Sequence, residues 1–113
     1  MTDLEMTRLC AEAMGLRWIG RQEIRAFNPD QWSNWVRVPD KTEEFRFDPL
    51  HDDAQAMALV KKFRMGIDDG ATSGDKCGAS LHVGGVIYTA VADDLNRAIV
   101  EAVAKWQAAK VSK

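Results

Sequence analysis

A chain of 113 residues with 46% hydrophobic and 28% charged side chains has the composition of one globular domain, large enough to bury a core without staples. The formal net charge is −2 and lysines and arginines are spread along the sequence, so composition gives no support to nucleic-acid binding through a basic surface. No apolar run approaches a membrane span, and the amphipathic opening MTDLEMTRL is not a signal peptide.

The periodicity predicts a first helix over 2–14. Thr2 can cap it, and Glu5 stands at capping-box spacing. Met6, Leu9, Cys10 and Ala13 fall on one face, and Gly15 is the stop signal, because the left-handed position after a helix favours glycine. In LRWIGRQEIRAFN, Trp18, Ile24 and Phe27 read as strand positions, with Gly20 as a break. NPDQ is turn chemistry, since Pro29 fixes φ while Asn28 and Asp30 bond back to the chain. WSNWVRVPD reads as a second strand with Trp35 or Val36 and Val38 turned inward. TEEFRFDPL suits either a short edge strand or an extended approach to the next helix.

A second helix is predicted over 53–64, capped by Asp52, with Gln55 at the matching third position and an apolar face of Ala56, Leu59, Val60 and Phe63. The glycine-rich segment 65–78 reads as a loop. ASLHVGGVIYTAVADD is the clearest local signal. Two β-rich runs flank Gly84-Gly85, which predicts a two-residue hairpin pairing Val83 with Val86, His82 with Ile87 and Leu81 with Tyr88. A third helix is predicted over 94–109, with Asp93 or Asp94 as cap and a stripe of Leu95, Ile99, Ala102, Val103 and Trp106. The last four residues, KVSK, read as frayed. The order α-β-β-α-β-β-α implies an α+β fold: an antiparallel sheet of four strands between amphipathic helices.

The segments AMGLRW, RFDPLHDDAQAMALVKKF and DDLNRAIVEAVAKWQ together resemble the phage ABA sandwich domain family of small phage and prophage proteins. The likeness rests on an opening amphipathic helix, a Pro-Leu-polar-Asp-Asp segment before a short helix, and an alanine-rich closing helix. The resemblance implies a helix–sheet–helix sandwich within a bacterial host cell. It implies no reaction and supplies no catalytic residues.

His51, Asp52 and Asp53 admit two readings. One is a metal or acid–base cluster, because imidazole and carboxylate are suitable ligands. The other, preferred here, is that Asp52 caps the helix and Asp53 complements its dipole, because three adjacent residues do not easily converge on one ion. His82 reads as a cross-strand neighbour of Ile87. Ser33, Ser80, Cys10 and Cys77 lie in no nucleophile motif, and Cys10 falls on the apolar stripe of the first helix. DDGATSGD lacks both the EF-hand pattern and the Gly-Lys-Ser/Thr of a P-loop, so no metal or cofactor is expected.

Four tryptophans in a chain this short is a high count. Trp32 and Trp35, three residues apart around a strand start, cannot share one face. An exposed tryptophan is a common anchor for a protein partner, and Arg37 adds charge beside them. The expected function is therefore that of a small, non-catalytic phage accessory protein in the cytoplasm, with free thiols. It would act as a monomer that binds a host or phage protein through 32–38 and the loop 65–78. The alternatives are an enzyme or metal-binding protein using His51, Asp52 and Asp53 or His82, and a weak nucleic-acid binder.

Overall fold

The structure is a computed structural model that describes residues 2–18, 35–39, 44–68 and 76–111. Its elements are α1 (Asp3–Ala13), β1 (Arg17–Trp18), β2 (Trp35–Arg37), β3 (Glu44–Arg46), α2 (Asp53–Phe63), β4 (Gly66–Asp68), β5 (Cys77–Val83), β6 (Val86–Ala92) and α3 (Leu95–Val111). The fold is α+β. Among the described residues three helices accompany two antiparallel sheets, ordered β1-β2-β3 and β4-β5-β6.

Local chemistry sets the helix ends. Thr2 and Glu5 form the full capping box: the Glu5 amide donates to Thr2 Oγ1 at 3.1 Å, and the Thr2 amide donates to Glu5 Oε1 at 3.3 Å. At the other end the Leu16 amide reaches Ala11 O and the Gly15 amide reaches Glu12 O, which is the paired Schellman arrangement. It requires Gly15 at φ +77°. Asp52 caps α2 by accepting from the Gln55 amide at 3.1 Å. The side chain of Gln55 does not return to Asp52. It accepts from the Asp48 amide and donates to Arg46 O, so it stitches the end of β3 to the helix start. Asp94 caps α3 through the Arg97 amide at 3.2 Å. The helix then runs to Val111, beyond the predicted end at 109, and includes the lysine and valine expected to fray.

The hairpin has the predicted register, with Gly84 and Gly85 both at positive φ. The glycine-rich loop is shorter than expected. Gly66–Asp68 pairs with Gly78–Ser80 as a third strand, and β5 already begins at Cys77. The described part of TEEFRFDPL, 44–50, combines the two readings left open for it, a short strand followed by a turn into α2. These additions give two three-stranded sheets in place of one sheet of four strands. The predicted strand positions at Ile24 and Phe27 lie outside the described residues.

The core centres on α3, which packs against α1, α2, β4, β5 and β6. Its predicted stripe of one face is too narrow. Ile99, Ala102 and Val103 are buried as expected, but Ala98, Val100 and Ala104 are also fully buried, and Gln107 joins them. Leu59 from α2, Leu81 from β5, Met6 and Cys10 from α1, and Val36 from β2 complete the interior. Burying side chains of this size is worth about 1.5–3 kcal/mol each. Polar bonds fix the outer helices on the same hub. Arg97 reaches Asp3 Oδ1 at 2.8 Å, Asn96 reaches Asp53 Oδ1 at 2.8 Å, and Cys10 Sγ donates to Val100 O at 3.4 Å.

Candidate interaction site

Strand alternation divides the second sheet into two unlike faces. One face carries Ala79, Leu81, Ala90 and Ala92, all buried in the core. The small side chains here allow α3 to approach closely. The opposite face carries Ser80, His82, Ile87, Thr89 and Val91. Ile87 is 57% exposed and Val91 is 64% exposed. At the turn Val86 is 50% exposed beside its partner Val83, and Ile67 projects at the β4 edge. The apolar character of both faces, legible in the sequence, is thus buried on one side and open on the other.

The open face is concave where it lacks side chains. A shallow trough of about 440 Å³ is lined by Gly66, Ile67, Gly78, Ser80, Thr89 and Val91. A Cβ on Gly66 would stand 3.1 Å from Ser80 Oγ, so glycine at this position keeps the trough open. No charged side chain lies within β6, and among the described residues Asp68 is the one carboxylate on the trough wall. Ile87 and Val91 are the exposed apolar side chains of this face, with Thr89 between them and Ser80 and His82 on the neighbouring strand.

The side chains of His51, Asp52 and Asp53 do not converge. His51 Nδ1 lies 3.0 Å from Asp48 Oδ2, while Asp52 is occupied by the helix cap and Asp53 by Asn96. Among the described residues no group of three or more His, Cys, Asp or Glu side chains is arranged to hold a metal. His51 lines one side of a cleft of about 380 Å³ between the start of α1 and the turn after β3, with Arg46, Asp48, Asp3 and Thr7. Asp48, which sequence reasoning passed over, is the centre of this cleft. It is bonded to His51 and lies 3.8 Å from Arg46. Exposed pairs of this kind contribute less than about 1 kcal/mol. His82 lies exposed on the open sheet face opposite Ile87, 31 positions along the chain from His51 and on a different element.

Of the tryptophan pair, Trp32 and the side chain of Trp35 lie outside the described residues. The backbone of Trp35 opens β2 opposite Arg46, and Arg37 closes that strand half-buried, opposite Glu44 and Arg17. Trp18 is half-buried against the core, and Trp106 meets Phe63 in a tilted contact, ring centres 5.3 Å apart and planes at 58°, with Lys110 over its face. Among the described residues no helix is long and apolar enough to cross a membrane.

The two thiols differ sharply. Cys10 is fully buried, and desolvation pushes its pKa well up, which suppresses the reactive thiolate. Cys77 is partly exposed at the start of β5. A thiol reagent added to the native protein is expected to label Cys77 and spare Cys10 until denaturant is added. Labelling of both in the native state, followed by peptide mass spectrometry, would contradict the packing of α1 on α3.

The chain matches no protein-family model, and no characterised protein or solved structure is significantly similar to it.

Proposed function

We propose that this chain is a small phage or prophage accessory protein that binds a host or phage protein and carries out no chemistry of its own. The observation that carries the binding reading is the open face of β4-β5-β6, where Ile87 and Val91 stand more than half exposed beside a trough. Leaving such side chains in water forgoes burial worth about 1.5–3 kcal/mol apiece, which a partner would recover. The resemblance of the segments around Trp18, Pro49 and Asp94 to phage ABA sandwich proteins supports the phage setting. The mode of action would be steric occlusion or scaffolding. This reading moves the contact surface away from Trp32, Trp35 and Arg37, the candidates read from the sequence, which stand as the competing proposal.

Affinity capture from a bacterial host lysate separates the two surfaces. Wild type is compared with Ile87→Lys/Val91→Lys and with Trp32→Ala/Trp35→Ala, after circular dichroism shows that each variant is folded. A polypeptide held by wild type and by the tryptophan variant, but lost from the lysine variant, is the expected result. Loss from the tryptophan variant alone would overturn the sheet-face assignment. Retention by both would overturn both surfaces.

A further inference from the structure

We infer that the outer edge of β6, which pairs with no other strand among the described residues, is a self-pairing edge, by which two copies of this chain join antiparallel across a two-fold axis, and that Lys105 acts as a brake on this pairing. The inference deepens the binding reading, and rests on it, by naming a second copy as one partner of the open sheet.

Backbone geometry carries the argument. A two-residue hairpin makes Val83 and Val86 a hydrogen-bonded pair, and pairs alternate along an antiparallel ladder. His82–Ile87, Ser80–Thr89 and Gly78–Val91 are therefore the non-hydrogen-bonded pairs. The amides and carbonyls of Ile87, Thr89 and Val91 must point away from β5. One contact shows this directly: Lys105 Nζ, reaching over from α3, donates to Thr89 O at 2.9 Å. Among the described residues β6 is the last strand of its sheet, and the other outward groups of these three residues have no partner there. The same three residues also place their side chains on the open face.

The strand is self-complementary. The antiparallel register that uses all seven residues puts Thr89 opposite Thr89 of the second copy. Ile87 then faces Val91 and Val91 faces Ile87, and β-branched and Thr–Thr pairs are favourable cross-strand neighbours. On the core side Tyr88 faces Ala90, a large residue beside a small one. The arrangement is isologous and closed, as a two-fold dimer requires. Beyond the strand, Lys76 and Asp93 pair with each other at 2.9 Å and fall opposite Gly85 of the second copy, so no like charges meet there.

Extent and charge set the strength. Seven residues span about 23 Å, and a strip about 10 Å deep gives roughly 230 Å² of contact cross-section. A standard stable interface covers about 800 Å² per partner. The dimer is therefore weak and concentration-dependent. Lys105 weakens it further, because it occupies the acceptor at the axis and brings a second ammonium group close to the first. Lysine at an open edge is a known device against such pairing.

Sedimentation over a range of protein concentrations tests this with wild type, Lys105→Met and Thr89→Pro. The expected result is a reversible dimer in wild type, at least tenfold tighter in Lys105→Met and absent in Thr89→Pro. Proline at position 89 removes an outward amide and no bond of its own sheet. Amide exchange of Ile87, Thr89 and Val91 gives a second readout that needs no variant: protection must rise with protein concentration. A monomer in both wild type and Lys105→Met, or a dimer that persists in folded Thr89→Pro, would overturn the inference. Thr89→Pro keeps Ile87 and Val91, so capture of another protein by this variant would leave the sheet-face reading standing while the dimer fails.

Discussion

Replacing Ile99 with alanine is expected to destabilise the protein by about 3 kcal/mol, within the range measured for large-to-small changes in tight cores. Ile99 is fully buried in the helix that α1, α2 and the second sheet contact, so the surroundings cannot collapse from one side to fill the space. Both the lost transfer energy and the cavity are then felt. Natural domains hold only about 5–15 kcal/mol in total. In urea the midpoint should fall clearly while the slope stays unchanged, which is the signature of altered stability without an altered unfolded state. A loss below about 1 kcal/mol would mean that α3 is not the hub of the core.

Ala102→Leu is expected to be destabilising too, by about 1–3 kcal/mol, although it adds hydrophobic surface. Alanine at 102 has no exposed area, and the neighbouring Ala98 and Ala104 have none either. The sheet against which α3 packs offers Ala79, Ala90 and Ala92 to the same core. Small residues on both elements mean that the helix and the strands are in close approach, with no room for three more carbons. The same substitution on an exposed helix surface would be almost neutral, since leucine and alanine are both good helix formers. Thermal melts of Ala102→Leu beside an exposed control such as Ala54→Leu would separate overpacking from propensity. A raised melting temperature for the buried variant would contradict the close packing.

The features legible in the sequence are those whose causes are local. The capping box at Thr2 and Glu5, the stop at Gly15, the cap at Asp52 and the register around Gly84-Gly85 each follow from a few adjacent residues. Gly66–Asp68 carried no such signal. Three residues are too few to show a period, and they form a strand only because Gly78–Ser80 lies alongside them. The division into two sheets was hidden for the same reason. The breadth of burial on α3 was hidden by alanine, which reads as neutral on a helical wheel and marks a close contact only when the opposing surface is known. Asp48 was missed because its value lies in what it gathers, His51 and Arg46, and not in any motif. Asp52 caps α2 as expected and Asp53 stands in its first turn, while His51 turns instead to Asp48.

The position of α3 in the chain has a consequence for biosynthesis. Arg97 binds Asp3 across 94 residues, and Asn96 binds Asp53 across 43. The segment on which α1, α2 and the second sheet assemble is made after all of them. A ribosome emits a chain from its amino end, at about 5–20 residues per second. The nascent segments must therefore wait, with apolar stripes in water, until the closing helix is free to receive them. The protein is expected to fold in one late step and to depend on holding chaperones during that interval. Premature termination before Leu95 would leave a set of elements with nothing to gather them.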